Sequence, residues 1–229
     1  APTGVRAAMR SQHAAHWRGG IQDEINSLRE NKTWTRCSEM GIDPAQLRNI
    51  VSCKMVLKYK YENGVLTRYK ARLCARGFTM RAGIDYFKTF ADVVRMSSVR
   101  HFISSTVGMG LKVYQVDWST AFLQGDLDET VFMELPSELW EFGFIDPPSD
   151  GSKKIVVKLN RPIYGLKQAA ACFRDTVHKW LTEDMDFKQC ESDACVYTKG
   201  EGSSRITLCL YVDDALYRCK CAKTRREFE

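Results

Sequence analysis

The chain has 229 residues, of which 44% are hydrophobic and 27% are charged, a composition typical of globular proteins. This length is enough to bury a core in one domain or in two small ones. No apolar run approaches the roughly 18 residues that cross a bilayer, and the N-terminus lacks the apolar segment of a signal peptide. We therefore expect an intracellular protein with no membrane partner. Because the sequence begins with Ala rather than Met, we also expect a fragment or a processed product.

The first predicted element is a helix over residues 6–30. Its apolar residues recur at spacings of four, four and three: Trp17, Ile21, Ile25 and Leu28. Gly19-Gly20 is expected to weaken the middle of this helix, because glycine is a poor helix former.

The next predicted element is a β-hairpin with one strongly basic face. Strands are predicted at Met55–Tyr61 and Val65–Ala75, joined by Glu62-Asn63-Gly64, because Asn-Gly favours a tight hairpin turn. The surrounding block, Val51–Phe90, holds nine basic and two acidic residues, a net charge of +7. Alternation along the strands puts most of the basic residues on one face: Lys54, Lys58, Lys60, Arg68, Lys70, Arg72 and Arg76. Such a face favours a polyanion, either a triphosphate or a nucleic-acid backbone, although a merely solvated face is the alternative.

The remaining elements alternate without a regular βαβ order, which indicates an α+β fold. We predict a helix with Ser97-Ser98 as its N-cap, a strand at Leu111–Asp117, a helix at 167–185, paired strands at Ala194–Thr198 and Ile206–Val212, and a loop at Trp140–Gly151. The apolar stripe of the first of these helices is predicted at Val99, Phe102, Ile103, Thr106 and Val107, and the buried face of the second at Phe173, Val177, Trp180 and Leu181.

The nine cysteines do not suggest a metal site or a disulfide framework. No CxxC pair occurs, and their odd number comes without secretory context, so we interpret them as reduced thiols in or near a core. His13 and His16 have no second pair of ligands at a suitable spacing.

Two adjacent carboxylates, Asp213 and Asp214, interrupt the apolar segment Arg205–Tyr217. Neighbouring carboxylates repel each other unless cations neutralise them, so we interpret Tyr211-Val-Asp-Asp214 as a hairpin tip that presents both to a divalent metal. A two-metal site needs a third carboxylate, and Asp117, at the end of a predicted strand, is the candidate. Asp126 and Asp128 are alternatives, but they fall in what resembles an exposed turn.

Six ordered sequence blocks carry a resemblance to the reverse transcriptases of copia-type retrotransposons. The blocks are Tyr69–Phe78, Gly83–Val94, Gln115–Leu127, Ile163–Gln168, Ser192–Tyr197 and Leu210–Asp214. The resemblance runs from near residue 7 to near residue 217. It departs from the family's usual pattern at Ser119, where Lys is usual, and at Ala169–Phe173, where Pro, Arg and Trp are usual.

The resemblance implies a right-hand polymerase fold, with an antiparallel palm sheet backed by helices and with fingers. Fingers would occupy residues 1–95, with the helix and the basic hairpin, and a first palm part 96–135, with Asp117. A connection between fingers and palm would occupy 136–168, and a second palm part 169–229. The thumb, and any ribonuclease H, integrase or protease part, has no counterpart within these 229 residues.

The resemblance also implies roles for individual residues. Asp117, Asp213 and Asp214 would be the catalytic metal ligands, with the backbone of Trp118 as a further ligand. Nucleotide contacts are implied at Lys70, Arg72, Arg76, Thr120, Ala121, Phe122, Tyr164 and Gly165. Nucleic-acid contacts are expected at Lys54, Lys58, Lys167, Gln168 and Tyr211. Phe122 matches the aromatic ring that excludes a ribose 2′-hydroxyl, with a core aromatic as the alternative.

The implied activity is RNA-directed DNA polymerisation with two Mg²⁺ ions, for which Mn²⁺ substitutes. Such ions, about 3.5–4 Å apart, activate the primer 3′-hydroxyl and stabilise the leaving pyrophosphate. The expected partners are a primed RNA or DNA template, a deoxynucleoside triphosphate and the rest of a Pol polyprotein, in a cytoplasmic virus-like particle or in the nucleus. The alternatives are a non-catalytic remnant and, less favoured, a two-metal nuclease.

Overall fold

The computed structural model describes residues 1–118, 120–148 and 151–228. The helices are α1 Val5–Met9, α2 Ala14–Glu30, α3 Met96–Gly108, α4 Ala121–Gln124, α5 Glu138–Glu141, α6 Ala169–Lys179 and α7 Ala222–Phe228. The strands are β1 Trp34–Arg36, β2 Val51–Glu62, β3 Val65–Ala75, β4 Tyr114–Asp117, β5 Phe132–Leu135, β6 Ile155–Leu159, β7 Lys188–Gln189, β8 Val196–Lys199, β9 Ile206–Tyr211 and β10 Asp214–Cys219. This mixture of helices with two largely antiparallel sheets confirms the α+β class.

The chain forms two compact units. The first unit comprises Ala1–Thr89 and Phe122–Ala169, and the second comprises Phe90–Ala121 and Ala170–Glu229. Each unit contains one five-stranded sheet, in the order β1-β6-β5-β2-β3 in the first and β4-β10-β9-β8-β7 in the second. The second sheet is antiparallel throughout, whereas the first includes a parallel β2–β5 pair.

The predicted basic hairpin is present as β2 and β3. Asn63 (φ 49°) and Gly64 (φ 80°) form its turn with positive φ angles, the backbone that Asn-Gly favours in a two-residue hairpin loop. The predicted alternation is confirmed, because one face of the strands is buried in the core of the first unit: Cys53, Met55, Leu57, Ala71, Leu73 and Ala75. Helix α2 covers the same core with the four predicted apolar residues, all buried: Trp17, Ile21, Ile25 and Leu28.

The prediction of one helix over residues 6–30 is wrong at its start. The helix is divided between α1 and α2, because the Ser11 backbone N–H and hydroxyl both donate to the Ala8 carbonyl and end the first helix. Gly19 and Gly20 remain helical inside α2. A Cβ atom on Gly20 would lie 2.1 Å from the Tyr69 carbonyl oxygen, so this glycine permits the close approach of α2 to β3.

The predicted N-cap of α3 is also wrong. The helix begins at Met96, and the Ser98 hydroxyl donates to Asp193 at 2.6 Å instead of capping its own helix. Buried Asp193 also accepts the N–H of Arg95 at 3.0 Å and the N–H of Cys195 at 3.0 Å. Although burial opposes its ionisation, these bonds hold the pKa of Asp193 below its usual value.

Other predicted boundaries shift by a few residues. Within the predicted stripe of α3, Phe102 and Thr106 are buried, whereas Ile103 and Val107 are exposed. The strand predicted at Leu111–Asp117 is shortened to β4, and the helix predicted at 167–185 becomes α6 followed by a π-helical turn, Trp180–Asp184. The predicted 140–151 loop begins inside α5, and its positions 149 and 150 lie outside the described residues.

Within the described part of the chain, every helix is too short or too polar to span a bilayer.

The packing of α2 on β3 yields a paired test. Gly20→Ala is expected to lower the free energy of unfolding by about 1–3 kcal/mol, because the added methyl group meets backbone atoms. Gly19→Ala is the matched control: nothing lies within 4 Å of its Cβ position, so the better helix former is expected to stabilise by up to about 1 kcal/mol. Denaturant unfolding measures both, and equal effects would contradict the close approach.

Candidate active site

The two adjacent aspartates lie at the tip of a hairpin in the second unit, as the sequence predicts. Strand β9 ends at Tyr211 and β10 begins at Asp214, with Val212 and Asp213 forming the turn. Tyr211 and Asp214 pair across the turn and are exposed, while Asp213 is half-buried. The hairpin therefore brings one catalytic candidate into the turn itself and the other to the start of the returning strand.

The register of β4 brings the third aspartate to the same place. Strands β4 and β10 are antiparallel, and Asp117 is the direct partner of Asp214. The Trp118 N–H donates to the Asp213 carbonyl oxygen at 3.2 Å, which ties the end of β4 to the turn. Gln115 donates its side-chain amide to Asp214 at 3.1 Å. The three sequence-predicted carboxylates are thus neighbours at one edge of the second sheet.

The chemistry of this group suits a hard divalent cation. Like charges directly opposite each other across two strands are destabilising, and oxygen-binding cations relieve that repulsion. Across residues 1–118, 120–148 and 151–228, no three His, Cys, Asp or Glu side chains converge closely enough to hold a metal ion as they stand. The backbone register therefore provides the proximity, and metal binding requires the carboxylate side chains to reorient.

Two β-branched residues beside the carboxylates have left-handed backbones. Val212 has φ 54° and Thr120 has φ 56°, a region that β-branched residues rarely adopt. Such strain persists where the surrounding structure enforces it, and it is concentrated at functional sites. Ala121, the next predicted nucleotide contact, is 1% exposed, so neither its backbone nor its methyl group has appreciable surface in this structure.

The basic face of the β2–β3 hairpin, in the first unit, contains like charges in direct opposition. Lys58 pairs with Lys70, and Lys60 pairs with Arg68. Burial and the neighbouring cations Arg72, Lys60 and Arg68 lower the pKa of Lys70. Among the described residues, none of these five side chains forms an ion pair. Because no ion pair among the described residues offsets this cross-strand repulsion, the face carries an excess of positive charge that favours an anion.

Three of the predicted nucleotide contacts in the first unit form one packed group. The Arg72 guanidinium lies over the Tyr164 ring, 4.3 Å from its centroid. The Phe122 ring packs edge-on against the same tyrosine, with centroids 4.8 Å apart. Gly165 (φ 89°) follows, and a Cβ atom there would lie 2.1 Å from the Ala75 carbonyl oxygen, so only glycine fits this approach to β3.

The other predicted contact residues have varied surroundings. Lys54 and Arg76 are exposed, as is Lys167, whose ammonium group donates to the Tyr86 hydroxyl at 2.9 Å. Gln168 is 1% exposed and donates to the Asp85 carbonyl oxygen at 2.7 Å. Its side chain therefore has little surface for nucleic acid and instead supports the loop that contains Asp85.

Sequence reasoning missed several carboxylates with structural roles, among them one buried and one half-buried residue in the first unit. Asp85 is buried and accepts the Arg81 N–H at 2.7 Å, and Glu24 of α2 accepts the Leu73 N–H at 2.9 Å. Both accept a backbone amide, which leaves no residue pattern in the sequence, and Asp85 also accepts the side-chain amide of Asn49 at 2.5 Å. The alternatives Asp126 and Asp128 are exposed, as expected, and Asp126 pairs with Arg161. His13 and His16 pack against Tyr69, without further metal-type ligands among the described residues.

Comparison with known proteins identifies the family of the chain. The family described as reverse transcriptase (RNA-dependent DNA polymerase) matches residues 31–229. The retrovirus-related Pol polyprotein from transposon TNT 1-94 of Nicotiana tabacum is 37% identical over 198 residues, which cover 86% of this chain and 14% of the relative. The corresponding polyprotein from transposon RE1 of Arabidopsis thaliana is 34% identical over 212 residues, which cover 92% of this chain and 14% of the relative.

A more distant relative is the transposon Ty1-NL2 Gag-Pol polyprotein of Saccharomyces cerevisiae. It is 26% identical over 201 residues, which cover 84% of this chain and 10% of the relative. The chain thus spans about one seventh or less of the lengths of these polyproteins. The resemblance proposed from the sequence blocks is confirmed, and the chain belongs to the reverse transcriptase (RNA-dependent DNA polymerase) family, with relatives in copia-type transposons.

Proposed function

We propose that this chain is the catalytic part of an RNA-directed DNA polymerase that adds deoxynucleotides to a primer 3′-hydroxyl. The observation that carries the proposal is the direct opposition of Asp117 and Asp214 beside Asp213 at one sheet edge. Mg²⁺ ions, or Mn²⁺ in their place, would be held by these carboxylates with the Trp118 backbone. When bound, they would supply the Lewis acidity that phosphoryl transfer requires.

Basic and aromatic residues of the first unit would bind the incoming nucleotide through their charge and their shape. Arg72, Lys70 and Arg76 would hold the triphosphate, whose negative charge offsets the repulsion within the basic face. Phe122, supported edge-on by Tyr164, would limit the space around the sugar of the incoming nucleotide. Thr120, Ala121 and Gly165 would each offer backbone to a nucleotide, which for buried Ala121 requires the residues that cover it to move.

In this proposal the second sheet, with α3 and α6, is the palm, and the basic hairpin and α2 belong to the fingers of a right-hand fold. Lys54, Lys58, Lys167 and Tyr211 would contact a primed RNA or DNA template, largely through its phosphates. We propose that the chain acts as part of a Pol polyprotein, alongside ribonuclease H and integrase, in a cytoplasmic virus-like particle or in the nucleus. A non-catalytic remnant is not favoured, because the carboxylates, the basic face and the aromatic pair are all retained.

Asp213→Asn tests the catalytic assignment. We expect incorporation of labelled dATP on a primed poly(U) template to fall at least a hundredfold, because a ligand is lost from a site of charge stabilisation. The free energy of unfolding should stay the same or rise, since repulsion within the site is relieved.

The matched control is Asp128→Asn, which removes the same charge from an exposed position in the first unit. It should leave incorporation unchanged. Equal incorporation by the parent chain and Asp213→Asn, or none by the parent with Mg²⁺ and with Mn²⁺, would contradict the proposed function.

Phe122→Ala tests the sugar site. The ratio of deoxynucleotide to ribonucleotide incorporation is expected to fall at least tenfold, because the ring no longer fills the space that a 2′-hydroxyl needs. Phe122→Tyr keeps the ring and should keep the discrimination. Competition between dATP and ATP on one primed template measures the ratio, and unchanged discrimination in Phe122→Ala would assign the ring to core packing.

A further inference from the structure

Glu24 of α2 contacts the outer edge of the basic hairpin. Strand β3 is the last strand of the first sheet, so its outward N–H groups have no neighbouring strand to pair with. The Glu24 carboxylate accepts one of them, the N–H of Leu73, at 2.9 Å. The carbonyl oxygen of Tyr164 accepts the next outward N–H, that of Ala75, at 2.8 Å. The edge of β3 is thus held at two alternate residues.

These two contacts fix the backbone next to Arg72. Leu73 follows Arg72 directly, and the Arg72 guanidinium already lies over the Tyr164 ring. One end of the arginine is therefore supported by an aromatic ring, and the peptide bond that follows it is anchored by Glu24. A long basic side chain on an exposed edge strand would otherwise carry the full entropy of its backbone and its rotamers.

The electrostatic surroundings of Glu24 match this location. Burial raises the pKa of Glu24, against the Leu73 N–H and the charges of Arg72 and Lys70, which lower it. In return, the charge of Glu24 raises the pKa of Lys70, opposing the stronger effects of burial and the neighbouring cations. The half-buried carboxylate of Glu24, at the edge of the basic face, reduces the repulsion among the cations of that face. The face as a whole stays net positive.

We propose that Glu24 is a positioning residue for the triphosphate: it anchors the β3 backbone at Leu73 and thereby holds Arg72 in the orientation that binds phosphate. The inference rests on the proposed function, since it assigns the basic face to a nucleotide. It separates two roles of one carboxylate, a hydrogen-bond acceptor for the backbone and a negative charge near cations. These roles have opposite effects on phosphate binding.

The two roles are separated by Glu24→Gln and Glu24→Ala. The glutamine keeps an oxygen that accepts the Leu73 N–H but removes the charge, so binding of Mg²⁺·dATP should be unchanged or somewhat tighter. The alanine removes the acceptor as well, and we expect the Kd for Mg²⁺·dATP to rise about tenfold, the effect of losing one hydrogen bond to a charged group. Asp23→Asn is the matched control, since it removes an exposed carboxylate from the adjacent position of α2 and should have no effect.

Equilibrium binding of dATP by the full chain is measured at a temperature where thermal unfolding shows every variant to be folded. Hydrogen exchange at the Leu73 amide is measured in parallel, because it reports the anchor without any nucleotide. Loss of Leu73 protection together with weaker dATP binding in Glu24→Ala, both restored in Glu24→Gln, supports the proposal. Retained protection in Glu24→Ala, or lost protection with unchanged dATP binding, overturns it, the second outcome leaving Glu24 as a purely structural residue.

Arg72→Ala distinguishes failure of this inference from failure of the proposed nucleotide site. If Arg72→Ala weakens dATP binding and Glu24→Ala does not, the positioning role is wrong and the nucleotide site stands. If the parent chain does not bind dATP, or Arg72→Ala binds it as well as the parent does, the basic face is not a triphosphate site. In that case the positioning role of Glu24 is overturned with it.

Discussion

The repulsion between like charges in register is the constraint on which the rest of this structure depends. In the second unit Asp117 lies directly opposite Asp214, and in the first unit Lys58 lies opposite Lys70. Each arrangement lowers the stability of an isolated chain, and each becomes favourable when a ligand of the opposite charge binds. We propose that the carboxylate group of the second unit binds cations and that the basic face of the first unit binds anions.

Backbone conformation and backbone hydrogen bonds, rather than side-chain packing alone, hold these charged residues in place. Left-handed backbones at Val212 and Thr120 accompany the carboxylates, and the Trp118 N–H ties the hairpin turn to β4. At the basic face, Glu24 and the Tyr164 carbonyl occupy the edge of β3. In both places backbone hydrogen bonds fix the strands that carry the charges, while the carboxylate side chains must still reorient to hold a metal ion.

The strands were the most predictable part of the fold from sequence. Alternation along β2 and β3 is a local property with a period of two, and Asn63-Gly64 specifies its turn locally, so both follow from short segments. The carboxylate hairpin was predictable for the same reason. The pairing of Asp117 with Asp214 depends on strands about a hundred residues apart. The predicted strand end makes Asp117 a candidate and the family resemblance supports it, but the register is what shows the two as partners.

The errors arise where a distant partner overrides a local signal. Ser98 was predicted as an N-cap of α3, but its hydroxyl bonds Asp193, 95 residues away. Ile103 and Val107 fit the apolar spacing of α3 yet are exposed, because only one side of that helix packs against its unit. Glu24 gave no signal at all, since its partner is the backbone amide of an apolar residue. Such contacts are set by tertiary packing and leave no spacing to detect.

The central claim is that Asp117, Asp213 and Asp214 form one divalent-metal site. Paramagnetic broadening of backbone amide signals during Mn²⁺ titration tests it most directly, because it detects weak binding and reports its location. The amides of Trp118, Val212 and Asp213 should broaden first in the parent chain, and Asp117→Asn should require several-fold more Mn²⁺ for the same broadening. Earlier broadening at the exposed acidic residues around Asp128, or an identical response in Asp117→Asn, would contradict it.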